Sequence, residues 1–243
     1  MELKVIEGSN NLKNHPVLSH EDWLSARKAL LAKEKEFTRL RDQLSQQRRE
    51  LPWEVVSKNY VFEGAHGKES LADLFGKSSQ LVMYHFMFDP TWDAGCKSCS
   101  FWADNFNGID SHLRHRDISF LAVSRAPYAK LAAYQERMRW SFKWMSSFGS
   151  DFNYDYSASF TPEEVASQGY VNYAVGKPWG EDIVGISVFY KDENGKIFHT
   201  YSTYSRGVDM MNGAYHYIDL TPKGRDEGGR TQFWVRRHDE YQD

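Results

Sequence analysis

The stretch "LVMYHFMFDPTWDAGCKSCSFWADNF", residues 81–106, contains both cysteines of the 243-residue chain, Cys96 and Cys99. Two cysteines placed at random in such a chain would fall three apart in about 1 case in 120, so the C-x-x-C spacing points to a shared task. Three tasks fit: reversible disulfide chemistry, half of a metal site, or two small buried hydrophobes at a strand-to-helix corner. The attacking species in disulfide exchange is a thiolate, and a free cysteine ionises only near pH ~8.5. The unpaired N–H groups of a helix's first turn stabilise such an anion. The helix expected from "CKSCSFWADNFNGIDSHLRHR" begins at or just before Cys96. That makes Cys96 the expected nucleophile, with Lys97 as a neighbouring cation, and Cys99, one turn on and more buried, the resolving thiol.

A structural zinc site usually takes four ligands, and no second C-x-x-C or H-x-x-x-H is present to complete one. A copper or zinc carrier would have to recruit His85 or His199, and a histidine on such strands is more often satisfied by a core hydrogen bond. No metal and no cofactor is therefore expected. Net charge is −3, which gives no broad basic field for nucleic acid or an anionic membrane surface. The best apolar run, "LVMYHFMF", is far short of the roughly 18 residues of a membrane span. With 41% hydrophobic and 15% aromatic residues the chain reads as a soluble globular protein. The start lacks a basic region followed by an apolar core, so a reducing cytoplasm is the expected compartment, where a lone C-x-x-C cycles or binds metal rather than forming a structural bridge.

The elements that must position the cysteines follow from periodicity. Residues 19–50 read as one long helix with Ser19 as N-cap, carrying Trp23, Leu30, Phe37 and Leu44 at seven-residue intervals. This stripe suits docking on the protein's own body or a homodimer seam. Leu81–Phe88 is a buried strand, "ISFLAVS" (118–124) the next, and Pro127 opens a helical stretch to about residue 149. Residues 148–182 form an irregular excursion with a capped helix at "TPEE". "GISVFYKDENGKIFHTYSTY" is a β-hairpin, and residues 207–217 a last helix. In the polar tail 221–243, Phe233 and Trp234 are the candidate anchors. Strand, helix, strand, helix, hairpin, helix is the thioredoxin-like order: an α/β fold with a mixed sheet flanked by helices. The expected organisation is an N-terminal extension (1–51), a thioredoxin-like domain (52–220) with the excursion inserted, and the C-terminal tail.

The blocks "EDWLSARKALLAKEKEFTRLRDQL", "RRELPWEVV", "YHFMFDPTWDAGCKSCSFWAD", "VSRAPYAKL", "SSFGSDFNYDY", "FHTYSTYSRGVD" and "DLTPKGRDE" resemble the bacterial thioredoxin-like family catalogued as domain of unknown function 899. The resemblance spans about Trp23 to Tyr241. It implies a dithiol-disulfide oxidoreductase with no established substrate. Ordinary thioredoxins differ in two places: they carry Gly-Pro between the cysteines where this chain has Lys97-Ser98, and a cis-proline where it has Gly185 or Ile186. The peroxiredoxin motif P-x-x-x-[TS]-x-x-C is absent, Pro90 standing six residues before Cys96.

Trp140 and Trp144 fall four apart, as on one helical face, and Tyr201, Tyr204 and Arg206 cluster in "HTYSTYSRG". Such groups usually pack a core. The functional reading is an enclosed, aromatic-lined pocket beside the cysteines, formed by Trp92, Trp140, Trp144 and Tyr201, with Arg125 or Arg206 binding a carboxylate. The expected partners are a thiol or disulfide substrate, preferably small, and a separate reductant. The alternatives are a copper or zinc carrier on the same scaffold and an interaction module that keeps the scaffold without the chemistry.

Overall fold

The protein is described from a computed structural model over residues 15–242. It divides into two units, one formed by the chain up to Pro52 together with Ile218–Thr231, the other by Trp53–Tyr217 together with the chain from Gln232.

The first unit is dominated by α1 (His20–Glu50). Ser19 caps it as expected, its hydroxyl accepting from the Asp22 N–H at 3.2 Å, and Glu21 and Asp22 at the start and Arg48 and Arg49 at the end complement the helix dipole. The seven-residue stripe is exposed: Trp23, Leu30, Phe37 and Leu44 keep between 44% and 66% of their surface.

The second unit holds β1 (Glu54–Val55), β2 (Val61–Gly64), β3 (Gly67–Ser70), α2 (Leu71–Leu74), β4 (Gln80–His85), α3 (Lys97–Ala103), α4 (Asp110–Arg114), β5 (Ile118–Ser124) and α5 (Tyr128–Arg137). It continues with β6 (Lys143–Ser146), α6 (Phe152–Asp155), α7 (Pro162–Ala166), β7 (Gly169–Val171), β8 (Ala174–Gly176), β9 (Gly185–Lys191) and β10 (Ile197–Tyr204), then a 3-10 turn at Ser205–Met211 and the larger part of α8 (Gly213–Asp219), whose last two residues fall in the first unit. Eight strands form one sheet in the order β1-β10-β9-β4-β5-β6-β2-β3. At its centre β4, β5 and β6 are parallel, and β9 joins β4 antiparallel, with Tyr84 opposite Ile186 and His85 opposite Gly185. Two parallel strands joined through a helix, flanked by an antiparallel hairpin, make the thioredoxin-like arrangement, a mixed α/β sheet with helices around it.

Residues alternate between the faces of β4. Leu81 and Met83 join Leu121, Val123, Phe189, Phe62, Leu71, Leu74 and Phe152 in one core cluster. Tyr84 and Phe86 enter an aromatic layer with Phe106, Tyr134, Trp140 and Trp144.

Three expectations need correction. The helix opened by Pro127 ends at Arg137, because Arg139 turns left-handed (φ 51°) and the chain enters β6. Trp140, Phe142 and Trp144 are buried, whereas Ser141 and Lys143 between them are exposed, a period of two and not of 3.6. The helix after the cysteines stops at Ala103, and Gly108 (φ 85°) sits in the turn before α4 begins. In the tail, Val235 is fully buried and the Trp234 ring packs on Phe101 at 5.4 Å, while Phe233 stays 47% exposed. The excursion forms α6, α7 and the small β7–β8 hairpin, with Thr161 and Glu164 completing the capping box that the sequence indicates.

Candidate functional site

Beyond β4 the chain stays extended for three residues, the Phe86 N–H donating to Val123 and the Phe88 carbonyl accepting from Ala126. It then makes a loop that returns on itself. The Cys96 N–H donates to the Met87 carbonyl (3.1 Å), and the Met87 N–H points to the Cys99 sulfur (3.4 Å). Within the loop Asp89 accepts from both the N–H and the hydroxyl of Thr91, and Lys130 of α5 donates to the carbonyls of Pro90 and Trp92. These bonds fix where Cys96 begins α3.

Gly95 is demanded by packing: a Cβ there would lie 2.7 Å from the Phe86 ring and 2.9 Å from that of Tyr134. The glycine lets the backbone press onto the aromatic layer. Its carbonyl accepts from Arg237 (2.8 Å), whose Nε–H also donates to the Tyr134 hydroxyl (2.8 Å). Ser100, buried one turn into α3, donates to the Cys96 carbonyl and pairs with the same Tyr134 hydroxyl, each at 2.9 Å. Arg137 holds Asp239 and Glu240, and His238 meets Asp104 at the C-cap of α3, so residues 237–240 strap along α3 from the Gly95 carbonyl before it to its end.

Both thiols are free, Cys96 partly exposed and Cys99 buried, and the two cysteines approach to 3.8 Å. The Cys96 thiol is pulled below its ordinary range, first by a hydrogen bond from the Cys99 thiol, then, against burial, by the N–H groups of Cys99 and Ser98 and by the Ser98 hydroxyl. The Cys99 thiol is pushed far up, first by burial and then by the neighbouring Cys96 sulfur. Within the pair the anion is thus favoured on Cys96, and the proton on Cys99.

The other residues singled out in the sequence fall elsewhere. Trp92 sits in the cysteine loop with 38% of its surface exposed. Trp140 and Trp144 share no helix; their rings meet at 5.7 Å inside the core, with indole N–H groups donating to Asp104 and Ser124. Both indoles are buried in the core. A cleft of about 990 Å³ touches Trp144, Lys77, Arg114 and Lys143 and neither cysteine. Arg125 does not await a carboxylate: its buried guanidinium already holds Asp89 (2.6 Å) and Asp182 (2.7 Å), tying the cysteine loop to the excursion. Arg206 projects into solvent with 84% of its side chain exposed, near Asp209 (3.3 Å). Tyr201 stands in β10 opposite Val188. His85 and His199 do not turn to the cysteines either; their Nε2 atoms bond Ser187 (2.8 Å) and Ser202 (2.7 Å). Among the described residues no group of three or more His, Cys, Asp or Glu is arranged to hold a metal, and no helix is long and apolar enough to cross a membrane.

Sequence reasoning passed over Tyr84, Ser100, Tyr134 and Arg237, and singled out Ser98 only as half of the Lys97-Ser98 pair between the cysteines. Ser98 carried a local signal, lying between the cysteines. Arg237 carried none, being 142 residues from the carbonyl it holds.

The profile of the family described as bacterial protein of unknown function, DUF899, matches residues 12–241. No curated protein matches. Among solved structures, a cysteine mutant of PrxQ from Xylella fastidiosa is similar at 11% identity and a TM-score of 0.45, over 68% of this chain and 95% of that one. Peroxiredoxin Q from Xanthomonas campestris is similar at 12% identity and 0.43, over 69% and 98%. A Chlorobium tepidum protein described as thiol:disulfide interchange protein DsbE is similar at 13% identity and 0.42, over 69% and 94%.

Proposed function

We propose a reaction for a chain that belongs to DUF899, a bacterial family described only as of unknown function: thiol-disulfide exchange between a small disulfide and the Cys96/Cys99 pair. One observation carries the reading. Two free thiols lie 3.8 Å apart with opposite biases, the partly exposed one favoured as the anion and the buried one as the thiol. That is the asymmetry a nucleophile and a resolving thiol need.

The Cys96 thiolate attacks one sulfur of the substrate; a Cys96–substrate bond forms, the substrate S–S bond breaks, and one substrate thiolate leaves and takes a proton from water. Cys99 then attacks the Cys96 sulfur. The intramolecular disulfide forms, the second substrate thiolate leaves with the proton that Cys99 gives up, and two electrons have passed to the substrate. A separate dithiol reductant restores the pair. A reducing cytoplasm suits such a cycle.

Two features support a small substrate. The backbone on one side of Cys96 is pressed against the aromatic layer at Gly95, and the C-terminal strap holds the Gly95 carbonyl through Arg237. Trp92 is the exposed aromatic of the loop leading to the nucleophile and the one predicted contact residue that fits a rim position. Turnover of small disulfides against reduction of insulin, with Cys96→Ser as blank, tests both parts. Activity equal to the blank on every disulfide removes the oxidoreductase; faster reduction of insulin than of every small disulfide removes the small substrate.

A further inference from the structure

Resolution requires the deeply buried Cys99 to lose a proton in a place with almost no water, and a buried thiolate without a hydrogen-bond donor is costly. The Met87 N–H of the loop points to its sulfur at 3.4 Å, and Cys96 beside it and Tyr84 of β4 act on it as well. Tyr84 is completely buried, and its hydroxyl has no hydrogen-bond partner of ordinary length, one of four such side-chain atoms among the described residues. Its ring is clamped edge-on between Phe86 (6.3 Å) and Phe106 (4.9 Å), so the hydroxyl cannot turn to solvent. Burial at this position disfavours an unpaired hydroxyl, and an apolar ring of the same shape, phenylalanine, would avoid that cost.

Resting on the exchange reaction proposed above, we infer that the Tyr84 hydroxyl is the hydrogen-bond donor that accepts Cys99 as a thiolate, and so sets the rate of the resolving step in one direction and of Cys99 departure in the other. In the reduced resting state the donor is idle, because a neutral thiol is a poor acceptor. When Cys99 gives its proton to the departing substrate sulfur, the anion gains the Tyr84 O–H as well as the Met87 N–H. No proton leaves Tyr84: burial first, then the charges of Cys99 and Cys96, hold the phenol protonated, whereas the tyrosine's hydrogen bond draws the Cys99 thiol down against its burial. In the reverse direction a dithiol reductant attacks the Cys96 sulfur, the intramolecular S–S bond breaks, and Cys99 leaves as the anion that Tyr84 receives.

Tyr84→Phe removes one oxygen and keeps the ring. After a pulse of glutathione disulfide, intact mass against time separates the steps: addition of one glutathione at Cys96, then its loss as the intramolecular disulfide forms. The variant is expected to take up glutathione at the wild-type rate and release it about tenfold to a hundredfold more slowly, the range of one hydrogen bond to a charged group. The midpoint of the release rate against pH should rise, while the midpoint for Cys96 alkylation stays. Wild-type release and an unshifted pH profile in Tyr84→Phe, with a more stable reduced protein, would overturn the inference and leave the hydroxyl as an unpaired buried group. Cys99→Ser, which must trap glutathione indefinitely, tells the two readings apart. Were it, like the wild type, to take up none, the exchange reaction itself would be lost.

Discussion

Tyr84 and His85 are neighbours in sequence on opposite faces of one strand, and each buries a polar atom that lacks a partner, the tyrosine hydroxyl and the histidine Nδ1. Their surroundings differ in kind. Tyr84 lies on the side of the cysteine pair, where Cys99 acts on its hydroxyl. His85 ends a line of neutral groups: its Nε2 meets Ser187 (2.8 Å), Ser187 meets Ser202 (2.9 Å), and Ser202 meets His199 (2.7 Å), with Phe152 stacked on the His85 ring. Burial drives His85 down to about 3, so it is neutral at any physiological pH. One face of β4 carries the aromatic layer under the cysteine pair, the other hydrogen bonds that bind three strands together. The strand's alternation keeps the two apart, which is why changes on one face should leave the other unaffected.

The largest effect that breaks the comparison is Cys96→Ser. Formation of the intramolecular disulfide should disappear entirely, while the urea midpoint moves by less than about 1 kcal/mol equivalent, since the face that binds the strands is intact. A variant that also unfolds in mild urea would show that the cysteine face is structural.

Acid comes next, and it acts on the other face. Unfolded histidine takes up a proton below about pH 6.5, whereas folded His85 refuses one until about pH 3. Its contribution is therefore complete above pH 6.5 and falls as the pH drops towards 3, by up to about 1.4 kcal/mol per pH unit. Denaturant titrations of wild type and His85→Leu across that range isolate it, because the other acid-sensitive groups are common to both. Parallel curves for the two proteins would mean that His85 takes up its proton at the same pH in the fold as in the unfolded chain.

At neutral pH the same variant should cost about 1–3 kcal/mol, the penalty of leaving the Ser187 hydroxyl with one partner fewer in a dry interior. The rate of Cys96 alkylation should not change. A variant with altered thiol reactivity would join the two faces into one network.

The smallest effect sharpens the cysteine face. Ser98→Ala removes one of the hydrogen bonds that favour the Cys96 anion, and should raise the pH midpoint of its alkylation by up to about one unit. No rise would assign the whole depression to Cys99 and the backbone.

Much of the central sheet was legible because its signals are local. An apolar run between polar flanks marks β4, alternation about "DENG" marks the β9–β10 hairpin, and Thr161-Pro162 with Glu164 marks α7. β6 was not legible as a strand, because Trp140 and Trp144 satisfy the helical i, i+4 spacing as well as the strand's period of two. Only the left-handed Arg139 and the parallel partner β5 decide between them. For Arg125 the sequence supplied the charge and not its occupants. Asp89 and Asp182 lie 36 and 57 residues away and reach it only when the loop and the excursion fold onto the same edge.

The sequence by itself determined the chemistry available to this protein: two cysteines three apart, placed after a strand and at the mouth of a helix, in a chain with the strand and helix order of a thioredoxin-like domain. Those properties follow from spacing and periodicity, which are fixed along the chain. The tertiary structure alone decided which groups act on that chemistry. Tyr84 beneath Cys99, Ser100 and Tyr134 beneath Cys96, and Arg237 over Gly95 come from a strand, two helices and the far C-terminus. Hydrogen bonds and burial act over a few ångströms of space, and no pattern in one segment records what another segment will bring to it.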